Sequence, residues 1–226
     1  MATGGRLIVF EGGEGSGKST QLRLLSDALA QSGIAHRCLR EPGGTPLGAE
    51  VRRLLLERDW AMDARAEALL FMASRAQMVA DELRPALAGG EHVLLDRFFL
   101  STYAYQIGGR GLPEQDVRAA NSLATDGLVP DLTLLLTFPV AEGLARAASR
   151  SSSHDRMERE GEAFHERVAE AFDAFARPEW QRAHPECGPI VSIEAAGSER
   201  DVARRVREAL ATRWRGTFPD LEASDH

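Results

Sequence analysis

The segment FEGGEGSGKSTQ, Phe10 to Gln21, constrains this chain more than any other. Gly12, Gly17, Lys18 and Ser19 satisfy the pattern G-x-x-x-x-G-K-[ST]. The pattern follows an apolar run, Leu7–Phe10, and precedes a helical periodicity in which Leu22, Leu25 and Leu29 recur at i, i+3 and i+7. In that context the N–H groups of the loop and of the helix start converge on a phosphate. The lysine neutralises its charge and the serine hydroxyl can ligate Mg²⁺. Gly12, Gly13, Glu14, Gly15, Ser16, Gly17, Lys18, Ser19 and Thr20 are therefore expected to cradle a nucleoside triphosphate. A plain glycine-rich turn is the competing reading, and the full motif with both flanks in place argues against it. Glu14 is the odd member, because a carboxylate repels phosphate and so must face something else, either a second ligand or solvent.

Five short segments, Leu7–Phe10, His36–Leu39, His92–Leu95, Leu132–Leu136 and Ile190–Ile193, read as continuous apolar runs. Strands buried on both faces of a parallel sheet have this character. Helical patterns lie between them. The first ends at Gly33, a second runs from Ala64 to Leu87 with a break expected near Pro85, and a third spans Ala163 to Phe175 with Phe164, Val168, Phe172 and Phe175 on one stripe. Strands alternating with helices predict a doubly wound α/β sheet with helices on both faces. At 226 residues, 43% hydrophobic and 27% charged, one well-packed domain over 1–226 is expected. Ser149–Arg156, with four serines, reads as a mobile loop, and the polar tail 216–226 is expected to fray.

Several classes are disfavoured. A net charge of −7 gives no general attraction to a nucleic-acid polymer or an anionic membrane surface. No stretch approaches the ~18 apolar residues that a membrane span needs. Cys38 and Cys187 form no CxxC pair and the six histidines lack ligand spacing, so neither a disulfide framework nor a zinc cluster is indicated, and the usage fits a reducing cytosol. The sole asparagine, Asn121, lies in NSLA, and no N-K-x-D or D-x-x-G occurs, which weakens a GTPase switch. A kinase needs instead an acceptor pocket beside the phosphate loop.

LREPGGTPLG (Leu39–Gly48), FMASRAQ (Phe71–Gln77), LDRFFLSTYAYQIGGRG (Leu95–Gly111) and DRMERE (Asp155–Glu160) follow one another in an order and spacing that resemble bacterial thymidylate kinases. With the phosphate loop they cover most of the chain from Arg6 to about Val168. The resemblance implies the P-loop nucleoside monophosphate kinase fold, a five-stranded parallel sheet of order 2-3-1-4-5. It implies transfer of the γ-phosphoryl group of ATP to dTMP with Mg²⁺, in a cytoplasmic homodimer serving dTTP synthesis, with no membrane or polymer partner. Glu14 would then face the deoxyribose 3′-hydroxyl of the acceptor. Phe71 would stack on thymine, Arg75 at i+4 would reach the base edge, and Thr102 and Gln106 would read the pyrimidine, while Tyr105 would crowd the sugar and disfavour a 2′-hydroxyl. Arg52, rather than Arg53, would meet the acceptor phosphate, with Glu41 near the metal and that phosphate and Pro42, Gly43 and Gly44 shaping the turn. Asp96 would hold magnesium together with Ser19, and Arg97 would bridge the transferring group. From spacing alone, Phe71 reads equally as core, Arg75 as surface, Asp96–Arg97 as a surface ion pair and residues 41–44 as a plain turn.

Two departures stand out. Phe98 occupies a place where the family more often has histidine or tyrosine. The phosphate loop has Gly15 where some members carry an arginine, so the resemblance assigns the catalytic arginine to a lid at about 146–160, with Arg146, Arg150 and Arg156 as candidates and Arg146 and Arg150 preferred. The serine-rich RAASRSSSHDR is spaced differently from the usual close-set lid arginines. IEAAGS, Ile193 to Ser198, falls where related kinases contact adenine, although composition alone reads it as a strand-to-helix turn.

Overall fold

Each of the five apolar runs becomes a strand in the computed structural model: β1 (Leu7–Glu11), β2 (His36–Arg40), β3 (His92–Asp96), β4 (Leu132–Thr137) and β5 (Ile190–Glu194). The helices between and after them are α1 (Lys18–Gln31), α2 (Pro46–Leu56), α3 (Ala64–Met78), α4 (Arg84–Ala88), α5 (Phe99–Thr102), α6 (Glu114–Thr125), α7 (Val140–Arg150), α8 (Glu162–Phe175), α9 (Pro178–Ala183) and α10 (Glu199–Arg213). The structure describes residues 4–57, 60–150, 156–157, 159–215 and 218, with backbone alone at 140 and 147–150. The Arg150 side chain, residues 151–155 of the serine-rich segment and, apart from 218, the tail 216–226 lie outside the described residues.

All strand pairings are parallel and the order is β2-β3-β1-β4-β5, as the resemblance implied. The period-two alternation of a strand divides the core. Leu7, Val9, Val93 and Leu95 join Leu55, Met78, Phe99 and Phe172 on one face, while Ile8, Phe10, Leu94 and Leu134 join Leu22, Leu25, Leu29 and Val206 on the other. Helices therefore cover both faces. The edge strands differ from the sequence reading: no residue of β2 is fully buried, β5 is only partly buried, and Cys38 on β2 is exposed. A strand with one neighbour and incomplete helical cover keeps a solvated side, so its apolar run is shorter than it reads.

The helical stretch expected over 64–87 breaks earlier than Pro85. The α-helix ends at Met78 and a π-helical turn, Val79–Leu83, intervenes, with the Arg84 N–H donating to the Val79 carbonyl. Pro85 then sits in the first turn of α4, where a missing N–H costs nothing, so the widened turn absorbs the proline upstream of it. The frayed tail also needs correction at Phe218. Its ring is buried, 5.3 Å from His92 and 5.9 Å from Trp214, and closes the lower edge of the second core. Among the described residues no helix is long and apolar enough to cross a membrane.

Parallel pairing sends all five carboxyl ends to one edge of the sheet. The register sets Phe10 level with Asp96, so the loop after β1 and the turn after β3 emerge side by side. The chain leaves these two strands in opposite directions, which opens a crevice between them.

Candidate active site

The loop after β1 is built on glycines at positive φ: Gly12 at 142°, Gly15 at 68° and Gly17 at 92°. Gly17 is also the N-cap of α1, so the free N–H groups of the first helical turn face the loop. Lys18 is buried, and its Nζ donates to the carbonyls of Gly12 (3.0 Å) and Gly13 (2.8 Å). Burial and the neighbouring Arg97 cation push its pKa down to about 8, against the pull of Glu14, Asp96 and Glu11. Ser19 Oγ donates to Asp96 Oδ2 at 2.6 Å, whereas Asp96 Oδ1 is buried with no hydrogen-bond partner. A hydroxyl and a half-satisfied carboxylate beside a phosphate loop fit Mg²⁺, which takes oxygen ligands and keeps part of its shell as water and phosphate. Among the described residues no group of three or more His, Cys, Asp or Glu could hold a metal ion.

Glu14 turns to the neighbouring strand. Its carboxylate accepts from Arg97 Nη2 and from the Tyr105 hydroxyl at 2.7 Å. Burial raises its pKa, but Arg97, Lys18, the Tyr105 hydrogen bond and His165 outweigh this and bring it to about 2. Arg97 itself has φ 72°, a left-handed conformation that costs a non-glycine residue of order 1 kcal/mol. The turn that imposes it is pinned by Glu11, fully buried at the end of β1, which accepts from Phe98 N (2.7 Å), Ser101 N (3.1 Å) and Ser101 Oγ (2.6 Å). Arg97 also donates to Ser101 Oγ at 3.0 Å, and its guanidinium lies 5.4 Å from the Tyr105 ring centre. Glu11 and Ser101 were not anticipated. A glutamate closing an apolar strand was the only available signal.

The opposite wall is a buried charge network. Arg75, 1% exposed on α3, donates through Nε and Nη2 to Glu41, through Nη1 to Asn121 Oδ1, and through Nη2 to the Phe98 carbonyl and Thr102 Oγ1 (2.9 Å each). The surface reading of Arg75 is thereby overturned. Arg75 and Glu41, anticipated in separate roles, are partners. Phe98 lies beneath the guanidinium, its ring centre 4.9 Å away, which gives the departure from the usual histidine or tyrosine a packing role. Arg52 Nη1 donates to the Pro42 carbonyl at 3.2 Å, and Gln106 Nε2 to Glu67 Oε1 at 3.0 Å.

These walls enclose one cleft of about 250 Å³, lined by Gly15, Gly17, Lys18, Ser19 and Asp96 on one side and by Glu41, Arg52, Phe71, Arg75, Thr102 and Gln106 on the other, with Glu14, Arg97 and Tyr105 between them. Gly13 and Ser16 line instead a smaller space of about 50 Å³ behind the loop, with Phe138, Leu144 and His165. Gly12 and Thr20 line neither.

Helix α7 passes directly over the loop. A Cβ on Gly15 would lie 2.0 Å from the Gly143 carbonyl oxygen, and one on Gly143 would lie 2.4 Å from that of Glu14. No arginine fits at position 15 while α7 stays in place. Of the lid candidates, Arg146 stands on α7 with its guanidinium 3.8 Å from the Phe138 ring centre. Arg156 is held elsewhere: it donates to the Leu55 carbonyl (2.8 Å) and to Glu67, whose buried carboxylate draws it to the far wall. The 193–198 segment is a strand-to-helix turn, closed by reciprocal capping between Ser198 and Asp201.

Removing Arg75 would leave Glu41 and Asn121 buried without their partner. Arg75→Ala is expected to destabilise the fold by about 3–5 kcal/mol, the cost of breaking a buried pair, read as a lowered urea midpoint. A shift no larger than that of the exposed Arg23→Ala would contradict this placement.

The geometry agrees with relatives. Residues 10–185 match the family model described as "Thymidylate kinase". A curated thymidylate kinase from Synechococcus sp. is 48% identical over 206 residues, covering 91% of this chain and 94% of that protein. One from Rhizorhabdus wittichii is 44% identical over 211 residues, covering 92% and 97%. The crystal structure of thymidylate kinase from Ehrlichia chaffeensis superposes with a TM-score of 0.69 at 29% identity, covering 92% of this chain and 99% of that one. With a phosphate loop, an Asp-Arg turn and a buried charged wall in one cleft, and relatives that match it nearly end to end, the chain belongs to the thymidylate kinase family.

Proposed function

We propose that this chain is a dTMP kinase that transfers the γ-phosphoryl group of ATP to dTMP, giving dTDP and ADP in dTTP synthesis. One observation carries the reading: a single cleft joins Lys18, Ser19 and Asp96 to Phe71, Thr102 and Gln106, with Arg97 at the junction. A donor on the first set and an acceptor on the second would meet at that arginine.

The acceptor phosphate has a second pKa of about 6, so its attacking oxygen is ionised at neutral pH and no strong general base is needed. Catalysis rests on alignment and on charge placed in advance. Residues 12–20 hold the ATP phosphates through backbone N–H groups, and Lys18 offsets their charge. Arg97, fixed by Glu14, Tyr105 and Ser101, bridges the transferring group. Arg146 and Arg150 are the arginines assigned to the transferring group, in a lid over about 146–160. Ser19 and Asp96 hold Mg²⁺, which when bound supplies further charge neutralisation on the phosphate oxygens. Glu14 accepts from the acceptor 3′-hydroxyl, Tyr105 crowds the 2′ position, Phe71 stacks on the base and Thr102 and Gln106 read its edge. Arg52 meets the acceptor phosphate, while Glu41 orients Arg75 toward the base side of the cleft.

The whole chain acts as one kinase domain, cytoplasmic and homodimeric. The exposed Leu69 and Leu123, on the neighbouring helices α3 and α6, support a second copy covering that face.

The direct test is ADP release with ATP and Mg²⁺ against dTMP, dUMP, dCMP, dGMP, AMP, UMP and thymidine in turn. Strong preference for dTMP is expected. Preference for another acceptor would overturn the pocket roles, and no turnover with any of them would favour a nucleotide-binding protein without transfer activity. A second expectation concerns pH. Lys18 carries its proton below its lowered pKa of about 8 and loses it above, so kcat/KM for ATP should fall as pH rises through that value. A profile flat to pH 10 would refute it. Third, Gly143→Ala should lift α7 from the loop and lower kcat on the order of 10–100-fold, the cost of misplacing catalytic groups by about 1 Å. An unchanged kcat would show that the loop tolerates the displacement.

A further inference from the structure

Gln106, on the π-helical turn Tyr103–Gly109, is 1% exposed and lines the cleft. Its Nε2 donates to Glu67 Oε1 at 3.0 Å. Glu67 lies on α3 with its side chain fully buried, and four donors converge on it. Gln106 Nε2 and Arg110 Nε (3.0 Å) bond Oε1, while Arg110 Nη2 (3.0 Å) and Arg156 Nη2 bond Oε2. Burial raises the pKa of this carboxylate, but the two guanidinium groups prevail and keep it below its ordinary value, so it is ionised.

An ionised carboxylate only accepts hydrogen bonds, and a primary amide has one accepting and one donating end. With one N–H of its NH₂ group donated to Glu67, the Gln106 amide is fixed with its nitrogen end on that carboxylate and its carbonyl end turned away from it. A flipped amide would set its oxygen against Glu67 Oε1 and bury two acceptors face to face. The orientation thus follows from the chemistry of the pair.

We infer that Glu67 is a specificity-determining residue. By fixing the Gln106 amide with its carbonyl toward the cleft, it selects a base edge that donates at N3, as thymine and uracil do, over cytosine, whose N3 accepts. The inference rests on the dTMP-kinase reading and deepens it. Glu67 touches no substrate in this account and acts through Gln106. The same carboxylate is also held by Arg156.

The test compares kcat/KM for dTMP and for dCMP in the natural chain and in Glu67→Gln, whose neutral amide can accept or donate and so releases Gln106 to turn over. The dTMP/dCMP ratio is expected to fall at least ~10-fold, within the range that a matched hydrogen bond provides, with KM for ATP changed less than ~2-fold. In a Gln106→Met background the same substitution should leave the ratio unchanged. A purely structural Glu67 would lower both acceptors equally, or would alter the ratio in the Gln106→Met background as well, and either result overturns the inference. Should Glu67→Gln not fold, the side-chain NH₂ of Gln106 in the natural protein, assigned by its loss in Gln106→Met, gives an independent reading. Slow proton exchange, both free and with dTMP bound, is expected, and rapid exchange overturns the inference. A natural chain that prefers dCMP overturns this inference and the proposed function together. A natural chain that prefers dTMP with an unchanged ratio in folded Glu67→Gln overturns this inference alone.

Discussion

The contact between Arg97 and Glu14 is what the rest of the site depends on. It joins the loop after β1 to the turn after β3, two segments 83 residues apart in the chain, and it does so from a strained backbone. Arg97 at φ 72° persists because its surroundings over-determine it: Glu11 pins the following turn, Ser101 and Gly12 accept from its guanidinium, and the Tyr105 ring lies against it. A left-handed arginine that must be held by several partners is pre-aimed, and pre-aimed charge need not reorganise when charge develops in the cleft. This also accounts for the carboxylate inside a phosphate loop. Glu14 serves the loop indirectly, by holding against it an arginine from the turn after the neighbouring strand, a second cation beside Lys18.

The opposite wall of the cleft follows a related logic with a different cost. Arg75–Glu41 and Glu67–Arg110–Arg156 are buried ion pairs, and desolvating such groups spends much of their mutual attraction. Apolar residues would make a wall at least as stable. What charge adds is direction. Each carboxylate has its lone pairs claimed by fixed guanidinium donors, so the neutral groups beside it, Thr102 and Gln106, have little choice of orientation. On the proposed reading, a base edge would meet a defined sequence of donors and acceptors, and a mismatched edge would leave buried polar groups unpaired, which is where hydrogen-bonded sites gain their discrimination.

Legibility in the sequence tracks the range of the interactions. The phosphate loop is local, with its glycines, lysine, serine, preceding strand and following helix within about 25 residues, and it was readable from spacing alone. The five strands and their order followed from buried apolar runs combined with the resemblance, and the overreach at β2 and β5 arose because an edge strand can carry an apolar run while one side stays wet. Arg75 and Glu41 were found as residues but not as a pair, since nothing in sequence joins positions 34 apart that meet only through the tertiary fold. Glu67 was invisible for a stronger reason. A glutamate in the first turn of a helix reads as a dipole-favoured surface charge, and only the convergence of Arg110 and Arg156 from distant segments makes it an anchor. Phe218 was missed because a single aromatic in a polar tail has no periodicity to reveal it.

The glycine contact between the loop and α7 bears on where the lid arginines can come from. A side chain at position 15 and a helix resting on that position compete for one volume: a Cβ on Gly15 would lie 2.0 Å from the Gly143 carbonyl oxygen. A loop that carries its own arginine must keep this helix at a distance, and a helix that comes this close requires glycine on both sides. The division between a loop-borne and a lid-borne arginine is thus a packing alternative as well as a chemical one. In this chain the close approach puts Arg146 on a helix seated against the loop backbone and stacked on Phe138, the residue that follows β4. Because β4 pairs with β1, the arginine and the phosphate loop are referenced to the same two strands. On the proposed reading, that shared reference would let a separate segment supply charge with the precision that a residue of the loop would have had.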